Sequence, residues 1–155
     1  MKNAILITPD DKIEIKEYIN YHTINDLVGG WYETCGYFGI TDQMCMIFCN
    51  EEFLLQEDTQ FNAVGTCLAN QPIYGNIVLL ADGYNDEGER DALPLNDIEA
   101  QNIFGALNQF VKSFDPILKH LHSKYDDNKP KPITQVSAMS EEEFNEILMG
   151  DSEDE

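Results

Sequence analysis

The segment that most constrains the fold is the run Gly-Asn-Ile-Val-Leu-Leu-Ala at residues 75–81, the most apolar strand candidate in the chain. It follows the chain-breaking sequence Asn-Gln-Pro at 70–72, which favours a new strand rather than a continuing helix. A second continuous apolar run, residues 44–49, is expected for a strand covered on both faces or nearly so. Side-chain alternation predicts that Cys45, Ile47 and Cys49 share one of those faces.

One long amphipathic helix is predicted to cover the sheet. Asn96 is the expected N-cap, because its short amide side chain can accept a hydrogen bond from the first helical turn. Apolar residues then recur at helical spacing and form one stripe: Ile103, Phe104, Leu107, Phe110, Val111 and Phe114. A further helix is predicted to start at Asp115-Pro116, with Asp115 as N-cap, and to continue to about Lys124.

The remaining elements are short. Strands are predicted at 4–8, 12–16, 31–38 and 53–55, and helices at 23–28, capped by Thr23, and at 62–68, capped by Asn62. The glycines at 29–30 are expected to end the first helix in a left-handed cap. The fold class is therefore α+β, with a small mixed or antiparallel sheet packed against one long C-terminal helix.

The chain is expected to form one α+β domain at 1–125, followed by a linker and an acidic tail at 126–155. The linker has no periodic pattern, and the tail is predicted to be flexible and disordered apart from a short helical segment. In that segment Phe144, Ile147 and Leu148 share one helical face. We interpret them as a docking motif for a partner groove, with an ordinary disordered terminus as the alternative.

The charge is strongly negative and unevenly distributed. The 155 residues carry a formal net charge of −20, and residues 26–99 contain fourteen acidic residues against one base, Arg90. Nucleic-acid affinity depends largely on Lys and Arg, so direct nucleic-acid binding is excluded and a basic protein surface is the expected partner. The candidate partner-binding carboxylates are those around the loop at 82–91: Asp82, Asp86, Glu87, Glu89 and Asp91. The alternative is that the acidity only maintains solubility.

No pattern indicates a metal, a cofactor or a catalytic group. The four cysteines lack a C-x-x-C pair and are interpreted as reduced thiols. The acidic loop at 82–91 fails the calcium-loop spacing, because Tyr84 takes its third position and no glycine takes its sixth. The first ten residues contain only a four-residue apolar run, too short for a signal peptide or a membrane span, so a cytoplasmic protein without membrane association is predicted.

Several short segments resemble those of an uncharacterised family. In order they are Leu-Val-Gly-Gly at 27–30, the aromatic stretch 31–38, Asn-Glu-Glu at 50–52, Asn-Ala at 62–63 and Ile-Tyr-Gly-Asn-Ile-Val at 73–78. The family consists of small proteins of bacteriophages, plasmids and their bacterial hosts. The resemblance covers roughly residues 4–110 and implies a mobile-element protein acting in the bacterial cytoplasm, host cytoplasm if phage-encoded. It assigns no activity and no site residue.

Two functions follow from these observations. The first is a non-catalytic acidic binding protein that presents carboxylates where phosphates would lie, and so inhibits a host defence or nucleic-acid-processing protein. The second is a small-ligand-binding or enzymatic domain, with Asn50, Glu51, Glu52 and Asn62 at the mouth of a polar pocket. The absence of a catalytic motif favours the first over an enzyme.

Overall fold

In the computed structural model, the described residues are 1–56 and 58–126, and the predicted linker and tail beyond Asp126, including Phe144, Ile147 and Leu148, lie outside them. The strands are β1 (Asn3–Ile7), β2 (Ile13–Glu17), β3 (Tyr32–Ile40), β4 (Gln43–Asn50), β5 (Ile77–Tyr84) and β6 (Arg90–Leu93). The helices are α1 (Tyr21–Val28), α2 (Ala63–Ala69), α3 (Asp97–Ser113) and α4 (Asp115–Tyr125).

The strands form one antiparallel sheet. Across the described residues it has six strands in the order β2-β1-β5-β4-β3, with β6 also paired to β5. β1 pairs with residues 77–79 of β5 and β6 pairs with residues 81–84, so these two strands share one side of β5. The run predicted as the most apolar strand is thus the sheet's central strand, and residues 77–81 are buried.

The sheet has a different cover on each face. Cys45, Ile47 and Cys49 face the main core with α2, α3 and α4, as alternation predicts. On the opposite face the short helix α1 is the only described helix that packs, through Ile24 and Val28, against a smaller apolar cluster. The predicted α+β class with a long C-terminal helix is confirmed, and the part of this second face that α1 does not reach is open.

A bulge in β3 decides which of its side chains meet which face. Thr34 pairs with Phe48 and Gly36 pairs with Ile47, which leaves Cys35 as an extra residue. The extra residue reverses the alternation. Phe38 consequently packs against the main core, whereas Tyr37 pairs with Met46 on the open side.

Two helix starts differ from the predictions. Helix α1 begins after Asn20, whose side chain accepts from the backbone N–H of His22, while Thr23 lies in the first turn and its hydroxyl accepts from the backbone N–H of Asn20. The prediction of Thr23 as N-cap was therefore wrong. In α4 the cap position belongs to Phe114, and Asp115 is the first helical residue. The caps predicted at Asn62 and Asn96 are confirmed.

Three further predictions require correction. Residues 53–55 form a single 3-10 turn instead of a strand. Part of the predicted loop at 82–88 continues β5 as far as Tyr84, and the chain returns as β6, which was not predicted. Strand β4 is not covered on both faces throughout, because Met44 is 48% exposed on the open side.

Candidate interaction surface

The β5–β6 connection presents carboxylates at the end of a tight turn. The side-chain oxygen of Asn85 accepts from the backbone N–H groups of Glu87 and Glu89, both at 3.0 Å. Gly88 completes the turn with φ +78°, a conformation that glycine adopts without steric cost. The carboxylates of Asp86, Glu87 and Glu89 are left outside this network. We call residues 82–91 the acidic hairpin.

Within the acidic hairpin, Asp82 differs from the other predicted carboxylates. Asp86, Glu87, Glu89 and Asp91 are exposed, whereas the Asp82 side chain is only 12% exposed. Its two oxygens accept from Arg90 Nε at 2.9 Å and Nη2 at 2.7 Å. The hydrogen bond from Arg90 holds the pKa of the Asp82 carboxyl below its usual value, outweighing partial burial. Asp82 is thus engaged inside the molecule, while the other four face solvent.

The guanidinium of Arg90 also lies over an aromatic ring. Its central carbon is 4.3 Å from the centroid of the Tyr37 ring, within the range of a cation–π contact. Tyr37 pairs with Met46 of β4 and is 45% exposed. Arg90, the single base between residues 26 and 99, is therefore held by a carboxylate and a tyrosine face together. Sequence reasoning missed this arrangement, because the contact depends on the β3 bulge.

The open side of the sheet carries a cluster of tyrosines and methionines. We call it the tyrosine face; it consists of Tyr18, Tyr21, Tyr32, Tyr37, Met44, Met46 and Arg90. Beside α1 it contains a cleft of about 490 Å³ that Asp91 of the acidic hairpin also lines. Burial raises the pKa of the Tyr18 hydroxyl, and the nearby Tyr32 and Asp91 raise it further. Tyrosine, methionine and arginine are enriched in protein–protein interfaces, and the tyrosine face is similar to such interfaces in composition.

The charges are segregated between parts of the fold. All eight lysines of the chain lie outside residues 26–99. Those in the described residues lie just before β1, in β2 and the turn before it, and in α3 and α4. The tyrosine face is built mostly from the lysine-free stretch. A basic partner would therefore be attracted to this part of the surface.

The four residues of the predicted polar pocket have separate roles. Asn50 is buried; its amide nitrogen donates to Val28 O at 3.2 Å and its oxygen accepts from the backbone N–H of Glu52 at 2.8 Å. Asn62 caps α2, and its amide nitrogen donates to Ile7 O and Gly75 O. Glu51 and Glu52 are exposed. Within the described part of the chain, no hydrogen bond joins Asn50 or its neighbours to Asn62, and both amides are engaged in holding the backbone.

A second cleft, of about 500 Å³, lies where α4 meets the β1–β2 turn, and His122 lines it. The Nε2 atom of His122 is 3.1 Å from both carboxylate oxygens of Asp11, and Nδ1 is 3.1 Å from Asp126 Oδ1. Burial alone would lower the pKa of His122, but the hydrogen bonds and charges of Asp11 and Asp126 outweigh it and raise the pKa. A carboxylate lies within hydrogen-bonding distance of each ring nitrogen, so His122 ties α4 to the β1–β2 turn as a structural clamp.

The cysteines are free thiols in differing environments. Cys45 and Cys49 are buried, and Cys35 and Cys67 are partly exposed. Burial raises the pKa of Cys45 to about 12. The hydrogen bond from Cys49 lowers the pKa of Cys35, against the effect of burial. Among residues 1–56 and 58–126, no group of three or more potential ligands has the geometry to hold a metal ion.

These features define a small antiparallel α+β domain whose most distinctive surface is a tyrosine-lined sheet face beside an acidic hairpin. The chain belongs to the family described as a domain of unknown function (DUF3846), whose model matches residues 1–103. The match covers the sheet, α1, α2 and the start of α3. The predicted membership of an uncharacterised family is thereby confirmed. Neither the comparison with curated proteins nor that with solved structures gave a match.

In the described part of the chain, no helix combines the length and apolar character needed to cross a membrane.

Proposed function

We propose that this chain is a non-catalytic binding protein of a phage or other mobile element, and that it occupies the basic, nucleic-acid-binding surface of a host defence or processing protein. The observation that carries the proposal is the segregation of charge. Residues 26–99 hold fourteen acidic residues against Arg90, and Asp82 already neutralises that arginine. The exposed carboxylates of the acidic hairpin stand beside the tyrosine face, which supplies aromatic contact area.

The two parts of this surface have different energetic roles. Exposed carboxylates contribute chiefly to long-range attraction and to the association rate, and individually add little affinity. Desolvated tyrosines and methionines supply the short-range contacts that hold a partner after encounter. A partner with a basic surface that also offers groups to pack on tyrosine fits both parts.

The test is affinity capture followed by a functional measurement. The tagged protein is incubated with bacterial lysate at about 50 mM salt, where exposed charges still interact over more than 10 Å. Captured nucleic-acid-binding proteins are then purified, and their affinity for labelled duplex DNA is measured with and without this protein. We expect inhibition that disappears at about 0.5 M salt.

A matched pair of double variants controls for net charge. Glu87→Gln with Glu89→Gln removes two charges from the acidic hairpin, while Glu14→Gln with Glu17→Gln removes two from β2. The first pair should weaken inhibition and the second should leave it nearly unchanged. Equal effects of the two pairs, or capture of no nucleic-acid-binding protein, would contradict the proposal.

A further inference from the structure

The contacts of Arg90 define a small subsite on the tyrosine face. The guanidinium is bound at its edge by both oxygens of Asp82, at 2.9 and 2.7 Å, and on its flat side by the Tyr37 ring at 4.3 Å. A planar fork of donors matches a carboxylate, and a planar cation stacks on an aromatic ring. The ammonium group of lysine has neither property, so this geometry selects arginine.

The subsite is set by strands and not by a loop. Asp82 lies in β5 and pairs with Ala92, and Tyr37 lies in β3 and pairs with Met46. The β3–β4 ladder fixes the position of Tyr37, and the β5–β6 ladder fixes that of Asp82. Arg90 begins β6, where it pairs with Tyr84, and its side chain is 53% exposed. The Asp82 side chain, at 12% exposed, is more enclosed than the arginine that it holds.

We propose that Tyr37 and Asp82 form an arginine-binding subsite, which Arg90 fills in the free protein and which an arginine of the basic partner takes on binding. This inference rests on the proposed function and names the side chain that the surface recognises. The partner's arginine takes over both contacts of Arg90, so the exchange leaves the Asp82 carboxylate, which is 12% exposed, paired with a cation throughout. Once released, Arg90 projects from the hairpin edge into solvent.

The occupant follows from charge complementarity. Asp91 lines the adjoining cleft together with Arg90, and the exposed residues Glu87 and Glu89 shortly precede Arg90 in the hairpin. An arginine-bearing segment of a protein places one guanidinium over Tyr37 and finds carboxylates for its neighbours. A nucleic acid would meet these same carboxylates unfavourably.

The experiment compares two flexible peptides of equal length and charge, one with arginine and one with lysine alternating with glycine. Their affinities are measured by isothermal titration or fluorescence anisotropy at low salt, for the unchanged protein and for Arg90→Ala. Removing Arg90 makes the protein more negative and should strengthen binding of both peptides. If the subsite exists, the arginine peptide gains about five-fold more than the lysine peptide.

Tyr37 provides the matched controls. In the Arg90→Ala background, Tyr37→Leu should abolish the extra gain for the arginine peptide, whereas Tyr37→Phe should keep it, because phenylalanine retains the ring face. Thermal unfolding of each variant checks that these exposed substitutions leave the fold intact. A titration of Arg90→Ala with arginine amide should also shift the Tyr37 ring resonances saturably, and lysine amide should not.

The possible failures are distinguishable. Equal gains for the two peptides, or an extra gain that survives Tyr37→Leu, would overturn the arginine subsite while leaving a basic partner in place. Failure of both peptides to bind any form of the protein at low salt would overturn the subsite and the proposed function together.

Discussion

Replacing Asn62 with alanine should destabilise the domain strongly, although Asn62 belonged to the pocket predicted from the sequence. The residue is fully buried. Its oxygen accepts from the backbone N–H of Gly65 at 2.8 Å, and its nitrogen donates to Ile7 O at 3.1 Å and Gly75 O at 2.8 Å. One amide therefore ties the start of α2 to the end of β1 and to the turn before β5.

The magnitude follows from these three bonds. Loss of an N-cap costs about 1 kcal/mol, and each buried carbonyl deprived of a partner costs about 1 kcal/mol at the lower end of the usual range. The free energy of unfolding should thus fall by about 3 kcal/mol. With a urea dependence of about 2 kcal/mol per molar, the unfolding midpoint should move down by about 1.5 M.

The assay is urea unfolding followed by circular dichroism and by fluorescence, whose transitions should coincide. Asn96→Ala is the matched control, since Asn96 caps α3 through the backbone N–H of Glu99 at 2.8 Å but is exposed. It should cost only about 1 kcal/mol. If Asn62→Ala costs no more than Asn96→Ala, the structural role argued for the buried amide is wrong, and a role of Asn62 in binding regains support.

Three further outcomes are expected. The pKa of His122 is raised in the folded state, so the stabilisation it provides is complete below its unfolded pKa of about 6.5 and is lost as the pH rises through its folded pKa. Between these two pH values, the unchanged protein should lose free energy of unfolding relative to His122→Gln. If the free energies of unfolding of the two proteins change with pH in parallel, the clamp is refuted. Gly29 has φ +80°, so Gly29→Ala should destabilise the protein by about 1 kcal/mol. Gly105 is exposed in the middle of α3, so Gly105→Ala should stabilise the protein by about 0.5 kcal/mol. Thermal unfolding gives the direction of each change in stability, and changes in the same direction would contradict the backbone argument. Iodoacetamide near neutral pH should alkylate Cys35 well before Cys45 in peptide mapping by mass spectrometry, since burial raises the pKa of Cys45 to about 12; faster modification of Cys45 would refute the assigned environments.

The strands and helices with a local signature were predictable. Strand β5 was evident because a short apolar run follows a proline break, and α3 because an asparagine cap precedes a regular apolar stripe. The errors arose where two local signals compete. Asn20 and Thr23 can each cap a helix, and only the extended backbone of Asn20 decides the choice. Strand β6 has just four residues, and its own sequence does not indicate a strand. Its pairing with β5 stabilises the extended conformation.

The candidate surface was only partly predictable. The acidic hairpin was identified from its carboxylates, but the engagement of Asp82 by Arg90 requires that β5 and β6 pair as a hairpin. Sequence alone indicates that Arg90 is exceptional in an acidic stretch. It does not indicate that Tyr37 lies beneath the guanidinium, because strict alternation from Tyr32 would place Tyr37 on the opposite side of the sheet. Tertiary packing, not local propensity, sets that position.

The bulge at Cys35 makes the arginine subsite sensitive to the register of β3 more than to the residue type at position 35. If the bulge closed while Cys35 stayed in the strand, plain alternation would turn Phe38 outward and Tyr37 inward, which would exchange a phenylalanine for a tyrosine in the core and remove the ring beneath Arg90. Deletion of Cys35 would instead let Gly36 follow Thr34 in the ladder, so Tyr37 would stay opposite Met46 on the open side. Among relatives of this domain, those that keep the spacing from Tyr32 to Phe38 should keep the same outward aromatic surface, whatever residue occupies position 35.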